Sequence, residues 1–133
     1  MNERELLDLA RQARERAYAP YSGFRVGAAV ECAGGEAFAA ANVENASLGL
    51  SVCAERNAVA MALAAGKSDF VRVAIVSDGE SSVPPCGACR QVLREFAEDL
   101  EVLLDDGQGG WRSFRLSELM PEAFVSLPEK PGP

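Results

Sequence analysis

Residues 70–96 read FVRVAIVSDGESSVPPCGACRQVLREF, and this stretch decides the fold. Its first part, residues 70–78, is a nearly continuous run of apolar, mostly β-branched side chains, which is typical of a strand covered on both faces. Apolar residues at helical spacing then predict a helix over residues 86–98. A second apolar run, LEVLL at 100–104, predicts another buried strand. A strand, a helix and a strand in this order indicate a partly parallel sheet with the helix packed on one face.

The N-terminal half adds two helices and a hairpin. Two runs, 24–30 and 36–43, flank a Gly-Gly pair and predict a β-hairpin. The segment 52–65 is rich in Ala, Met and Leu and is followed by glycine, which predicts a helix with a C-terminal glycine. A first helix is predicted over residues 3–17, with an apolar face made of Leu6, Leu9, Ala13 and Ala17.

The C-terminal part completes the sheet. WRSFRL at 111–116 predicts a final strand, and the residues before it, 105–110, are too few for a crossover helix. The last two strands should therefore be antiparallel neighbours. Ser117 is predicted to cap a short last helix. Together these patterns predict one three-layer α/β/α domain over residues 1–126, built on a mixed five-stranded sheet, with a flexible tail at 127–133.

The composition disfavours several classes of protein. With 133 residues and 48% apolar side chains, the chain fits one domain with a continuous core. No run approaches the roughly 20 apolar residues that cross a bilayer, so we expect no membrane partner. The net charge of −7 counts against a nucleic acid partner, because polynucleotide binding normally needs a basic groove. The same acidity makes a small-molecule substrate the expected ligand. The charged start of the sequence has no apolar signal region, which favours a cytoplasmic protein.

Cys86 and Cys89 form a Cys-x-x-Cys pair inside the stretch that decides the fold. Such a pair occurs in structural zinc sites, in redox dithiols and in catalytic metal sites. The chain has no histidine, so a third zinc ligand is best sought among the remaining cysteines. Cys53 stands at the expected start of the second helix, as Cys86 does for the third, and helix N-termini stabilise thiolates. Three thiolates would leave the fourth zinc position open to water, as in catalytic sites.

Glu55 lies two residues after Cys53, in the first turn of the same predicted helix. From there a carboxylate can point beside the metal without ligating it, where it can take a proton from zinc-bound water and pass it on. Pro-Cys-x-x-Cys alone is a weak signal. With Cys-x-Glu upstream it becomes a strong one, because zinc deaminases use this combination.

A zinc ion with three thiolates carries net negative charge, which weakens it as a Lewis acid. A cation that donates to the sulfur atoms would withdraw part of this charge. Arg56 and Arg90 each follow a site residue directly and are predicted to have this role. The alternative for both is an ordinary solvated surface charge.

Four motifs resemble the small zinc-dependent cytidine deaminases of pyrimidine salvage, in order from about residue 5 to Phe124. The motifs are AYAPYSGFRVGAA (17–29), NVENAS (42–47), CAERNA (53–58) and PCGACRQV (85–92). The resemblance implies the cytidine-deaminase-like fold, one zinc ion per chain held by three cysteines, and a proton-shuttling glutamate. In this sequence those residues are Cys53, Cys86, Cys89 and Glu55.

The resemblance also implies substrate contacts and an assembly. Asn42 and Glu44 would bind the 3′-hydroxyl of the sugar, and Phe24 would lie beside the pyrimidine. The backbone of Ala54 would contact the base. The family is typically homotetrameric, with a C-terminal phenylalanine that completes a neighbour's site, which implies Phe124 here. One departure is Leu48, where many family members carry a tyrosine associated with subunit contacts.

Three classes of function remain open from the residues. The first is hydrolytic deamination of cytidine and 2′-deoxycytidine by zinc-activated water. The second is the same chemistry on another aminopyrimidine nucleoside or on a nucleic acid base, the latter disfavoured by the acidity. The third is a non-enzymatic zinc module or a redox dithiol. A structural site would need a fourth ligand, for which only Cys32, predicted to be a small apolar filler, remains among the cysteines. A redox dithiol would leave Cys53 and Glu55 unexplained.

Overall fold

A computed structural model describes residues 1–80 and 83–128, and most of the predicted tail at 127–133 lies outside them. The predicted helices and strands are all present, with ends that differ by a few residues. A short 3-10 turn at Leu48–Leu50 precedes the second helix. In chain order the elements are α1 (Glu3–Arg14), β1 (Val26–Cys32), β2 (Ala37–Ala41), α2 (Ala54–Ala64), β3 (Phe70–Ser77), α3 (Gly87–Phe96), β4 (Glu101–Asp105), β5 (Trp111–Arg115) and α4 (Leu116–Leu119).

The five strands form one mixed sheet in the order β2-β1-β3-β4-β5. β3 and β4 pair in parallel, as the strand–helix–strand pattern predicts. The other neighbouring pairs are antiparallel, including the last two strands. Because β2 and β3 both run antiparallel to β1, the connection through α2 crosses over β1. The predicted fold class is confirmed.

Helices cover both faces of the sheet. In β3 the side chains alternate, as the pleat requires. Ala74 and Val76 pack with α1, whereas Val73 and Ile75 pack in the cluster that contains residues of α2 and α3. The prediction that residues 70–78 form a strand covered on both faces is thereby confirmed. This alternation produces the three layers.

The predicted apolar face of α1 is partly wrong. The buried residues of the helix are Leu6, Leu7 and Ala10. The helix ends at Arg14, because the chain beyond it turns towards the segment that follows β2. There the Tyr18 N–H donates to Asn42 O at 3.0 Å. Ala17 is therefore outside the helix, and Leu9 and Ala13 line a groove beside β2.

The predicted cap of the last helix is also wrong. The N-cap position of α4 is occupied by Arg115, whose N–H donates to the Glu118 carboxylate at 2.9 Å. Ser117 lies inside the helix, and its hydroxyl donates to Asp99 at 2.7 Å. The helix begins directly after β5 because Leu116 is fully buried and its N–H still bonds to Leu100 O.

The segments that carry the predicted site lie together at one end of the sheet. The start of β1 lies beside the ends of β2 and β3, because β1 runs antiparallel to both. α2 and α3 pack on the same face. No helix in the described part of the chain is long and apolar enough to cross a membrane.

Candidate active site

Two helices begin at a cysteine in this structure. Cys53 is the N-cap residue of α2, and Cys86 is the N-cap residue of α3. Neither cysteine side chain makes a capping hydrogen bond to its helix, so it does not occupy the N–H groups of the first turn. Cys89 follows in the first turn of α3. The partial positive charge at a helix N-terminus favours the thiolate form of such residues.

The three sulfur atoms fit a zinc ion. Sγ of Cys86 lies 3.7 Å from that of Cys53 and 3.4 Å from that of Cys89. Tetrahedral zinc with bonds of about 2.3 Å holds its sulfur ligands about 3.8 Å apart, so the thiols are already at coordinating separation. Within residues 1–80 and 83–128, this is the only group of three or more candidate ligands within reach of one ion. The group supplies three ligands, which leaves a fourth position for a small molecule.

The pKa values of Cys53 and Cys89 shift in opposite directions. The hydrogen bond from the Cys89 thiol lowers the pKa of Cys53 to about 5, and Arg56 stabilises the same thiolate. The same contact with Cys53, together with burial, raises the pKa of Cys89. The shift favours the Cys53 thiolate, which suits metal binding because zinc binds the deprotonated form.

Glu55 lies beside this group as the second residue of α2, where the sequence predicts it. Its side chain is buried, with 5% of its surface exposed. Burial raises the pKa of Glu55, because removing water disfavours the carboxylate, and the neighbouring Cys53 thiolate adds to the effect. A carboxyl group in this setting can hold a proton and release it, as a general acid and base must.

The two predicted arginines differ in their contacts. Arg56 Nη2 lies 3.8 Å from Cys53 Sγ and 3.4 Å from Ser51 O. Its guanidinium is thereby placed to reduce the negative charge on sulfur. Arg90 donates to Pro85 O at 2.8 Å and to Leu119 O at 2.7 Å. These bonds fix the segment before Cys86, and a contribution of Arg90 to the charge on sulfur stays a prediction.

Asn42 and Glu44 follow the end of β2. They bond to the segment 19–25, which we call the Phe24 loop, and to the first residue of β1. Asn42 Oδ1 accepts from Val26 N at 2.9 Å, and its Nδ2 donates to Phe24 O at 3.0 Å. Glu44 Oε1 accepts from two backbone amides of the loop, Tyr21 N at 3.0 Å and Ser22 N at 3.1 Å. The predicted sugar and base contacts are therefore neighbours in the structure.

The sequence analysis did not identify two residues of the Phe24 loop, Ser22 and Arg25, as part of the site. The Ser22 hydroxyl donates to Glu44 Oε2 and accepts from Phe24 N at 3.0 Å. The hydroxyl contact lowers the pKa of Glu44. Arg25 donates to Asp78 through its backbone N–H at 2.9 Å and through Nε at 3.0 Å. Ser-Gly indicates a turn, but no local signal connects Ser22 to Glu44 or Arg25 to Asp78.

Two predicted substrate contacts have different surroundings. Ala54 is fully buried between Cys53 and Glu55 at the first position of α2. Phe124 is 59% exposed, and its backbone oxygen accepts from Gln91 Nε2 on α3 at 2.9 Å. The C-terminal segment is therefore attached to the helix that carries Cys89.

Cys32 lies in the apolar core with 1% of its surface exposed. Burial raises the pKa of this thiol, which disfavours the thiolate that a metal ligand needs. The position agrees with the predicted role of an apolar filler.

Comparison with protein families gives a match over most of the chain. Residues 1–103 match the cytidine and deoxycytidylate deaminase zinc-binding region. A cytidine deaminase of Halalkalibacterium halodurans is 47% identical over 127 residues, which cover 95% of this chain and 96% of the relative. A cytidine deaminase of Mycobacterium tuberculosis is 42% identical over 115 residues, covering 86% of this chain and 84% of the relative.

Solved structures show the same architecture. The crystal structure of a cytidine deaminase from Burkholderia pseudomallei superposes with a TM-score of 0.89 at 47% identity, covering 93% of this chain and 100% of that one. The cytidine deaminase of Mycobacterium tuberculosis superposes with a TM-score of 0.83 at 38% identity, covering 95% of this chain and 99% of that one. The mixed sheet and its covering helices are thus common to chains of clearly related sequence.

Proposed function

The chain belongs to the zinc-dependent cytidine deaminases, and from this premise we propose that it hydrolyses cytidine and 2′-deoxycytidine to uridine and 2′-deoxyuridine in pyrimidine salvage. The observation that carries the proposal is the cluster of Cys53, Cys86 and Cys89 at two helix starts, with the buried Glu55 beside it. A structural zinc site would use four protein ligands, and this group offers three.

The reaction needs a residue that moves protons. Cys53, Cys86 and Cys89 would hold the zinc ion, which would supply a water molecule of lowered pKa. Glu55 is placed to accept a proton from the attacking water at its carboxylate. Addition of water to the C4–N3 double bond of the base requires a proton at N3, and loss of ammonia requires one at the amino group. Glu55 takes the first proton from the attacking water and gives it to N3. It then takes the second from the hydroxyl group formed at C4 and gives it to the amino group, which leaves as ammonia while C4 becomes a carbonyl. The buried carboxyl group supports this alternation of base and acid.

Hydrogen-bond capacity supports action on both sugars. An ionised carboxylate has about four acceptor positions, and Glu44 already uses three on the Phe24 loop. The amide of Asn42 has two N–H groups, of which one donates to Phe24 O. The remaining acceptor and donor suit one hydroxyl group, which donates to Glu44 and accepts from Asn42. The 3′-hydroxyl meets this description and is common to ribose and 2′-deoxyribose.

The same pair supports a preference for nucleosides over free cytosine. Polar groups built for a sugar hydroxyl are left without a partner when the sugar is absent, at a cost of about 1–3 kcal/mol each. In this proposal Phe24 packs beside the pyrimidine and the backbone of Ala54 contacts the base. The exposed Phe124 completes the site of a neighbouring subunit in a homotetramer. The four free cysteines agree with a reducing cytoplasmic compartment.

The proposed substrate class is tested by an absorbance assay on zinc-loaded protein with cytidine, 2′-deoxycytidine, cytosine and CMP in parallel. We expect kcat/KM for the two nucleosides to agree within about tenfold, because the sugar site offers partners for one hydroxyl only. Cytosine should react far more slowly. No turnover of cytidine would overturn the proposed function, and a preference for CMP or cytosine would overturn the nucleoside class.

A further inference from the structure

In the Phe24 loop, the Ser22 side chain connects Glu44, one of the predicted sugar contacts, with Phe24, the predicted base contact. The Ser22 hydroxyl donates its proton to Glu44 Oε2 and accepts the N–H of Phe24. A serine hydroxyl has one donor and two acceptor positions, so both bonds can exist together. Ser22 therefore bridges the residue proposed to hold the sugar and the residue proposed to hold the pyrimidine.

The remaining contacts of the loop do not replace this bridge. At its N-terminal side, Tyr18 pairs with the chain around Val43. At its C-terminal side, Arg25 is held by Asp78. Between these points Gly23 has a φ of +68°, a conformation that glycine adopts without strain. Asn42 Nδ2 holds the carbonyl oxygen of Phe24, and the Ser22 hydroxyl holds its N–H.

The Ser22 bridge also decides how many acceptor positions Glu44 offers. Without the hydroxyl, Glu44 Oε1 would keep its two backbone donors, Tyr21 N and Ser22 N. Oε2 would lose its partner and be free to turn towards water. The carboxylate would then present two equivalent acceptor positions instead of one directed position.

We propose that Ser22 is a positioning residue that fixes Phe24 and Glu44 relative to each other, so that base and sugar contacts form at the same time. The inference rests on the proposed function, since it assigns Phe24 and Glu44 to the nucleoside. Ser22 acts through these two residues and takes no part in the proton transfers at Glu55. Its effect therefore falls on nucleoside binding.

The test is the kinetics of Ser22→Ala in the zinc-loaded protein. Loss of one hydrogen bond to a charged group should raise KM for cytidine by about tenfold and change kcat by less than about twofold. Ser22→Thr keeps the hydroxyl and should restore most of the affinity. Zinc content should stay at the level of the unaltered protein, which shows that the fold and metal site are intact.

Ser113 provides a matched control. Its hydroxyl also donates to a half-buried carboxylate, that of Glu101 at 3.1 Å, on the strand pair β4–β5. Ser113→Ala should leave KM and kcat unchanged. A second control combines Ser22→Ala with Glu44→Gln. Because Ser22 acts partly through Glu44, the fold-increase in KM of the double variant should be smaller than the product of the two separate fold-increases.

The outcomes separate the two proposals. If the unaltered protein does not deaminate cytidine, the proposed function fails. If it does and Ser22→Ala keeps the KM of the unaltered protein, the Ser22 bridge is wrong. Equal losses in kcat and kcat/KM for Ser22→Ala would also overturn it, because they would place the effect in the chemical step.

Discussion

Glu55 is buried beside the three thiols of the candidate metal site. Glu55→Gln keeps this volume and removes the ability to carry a proton. Each proton transfer by a positioned group is typically worth about 10²–10⁴-fold, so we expect turnover to fall by several orders of magnitude with zinc retained. Steady-state kinetics and metal analysis measure the two effects. The exposed Glu95 is a control, and near-normal turnover of Glu55→Gln would remove Glu55 from the mechanism.

The cysteines make a second prediction at the residue scale. Single replacement of Cys53, Cys86 or Cys89 by Ser should reduce zinc below one ion per chain, because a hydroxyl is a poor zinc ligand. Cys32→Ser should retain the metal. It places a hydroxyl in the apolar core, so it should lower the free energy of unfolding by about 1–3 kcal/mol. Loss of zinc in the Cys32 variant would contradict the ligand assignment.

Among the elements, the contact between α1 and β1 depends on Gly27. A Cβ atom at this position would lie 1.9 Å from Ala10 O, a backbone atom of the helix. Gly27→Ala should therefore push α1 from the sheet and lower the free energy of unfolding by at least about 1–3 kcal/mol. Gly49→Ala is the matched control, because its added methyl group meets nothing within 4 Å. Equal denaturation midpoints for the two variants would contradict the close contact.

The ion pair between Arg25, directly before β1, and Asp78, directly after β3, gives the stability a defined pH dependence. Arg25 lowers the pKa of Asp78 below its ordinary value of 3.8 through a hydrogen bond and its charge. The pair stabilises the fold above that value, and this contribution disappears as the pH falls through the lower folded pKa. Asp78→Asn should thus reduce stability at neutral pH, by less than about 1 kcal/mol because the pair is partly exposed.

Denaturation of Asp78→Asn and of the unaltered protein should differ less as the pH is lowered below 3.8. Asp8→Asn removes a carboxylate that pairs with Arg11 within the same helix and serves as a control for surface charge. A difference that stays constant at all pH values would show that Asp78 acts through something other than its charge.

An element is predictable when residues close together in the sequence define it, and unpredictable when a contact with a distant part of the chain does. β3 and β4 are indicated by their own apolar runs, and the start of α2 by Cys53 with Glu55. The end of α1 depends on the pairing of Tyr18 with Val43, which lies in a different part of the chain. No pattern local to the first helix contains that information.

The same limit applies to the site. The candidate metal ligands are predictable because helix starts place thiols and a carboxylate at fixed spacing. The bond between Ser22 and Glu44 joins residues 22 positions apart, and that between Arg25 and Asp78 spans 53 positions. These contacts result from the order of the strands in the sheet, so they became visible only in the structure.

At the scale of the whole molecule, several large apolar side chains remain exposed in the described chain. Phe124 is 59% exposed, Leu48 69% and Leu50 67%. Exposed apolar groups of this kind are typical of subunit contacts. We expect a homotetramer in which Leu48 lies at or near a subunit boundary. Sedimentation at micromolar concentration measures the assembly directly.

The shared-site prediction has a kinetic consequence. Phe124→Ala should raise KM for cytidine and leave zinc occupancy unchanged, because Phe124 is proposed to complete a neighbour's pocket. Leu127→Ala is the control, since Leu127 is 78% exposed and has no assigned contact with the substrate. A fully active monomer would contradict the shared site and would leave the metal chemistry intact.

Because Cys53 and Cys86 stand at the starts of two different helices, the metal site can form only at a certain stage of folding. Cys53 and Cys86 are 33 positions apart, and the whole of β3 lies between them. Their sulfur atoms reach coordinating distance only after α2 and α3 have docked on the assembled sheet. Tight metal capture should therefore be a late event, and the rate at which the refolding chain withdraws zinc from a chromogenic chelator would measure how quickly the central sheet forms.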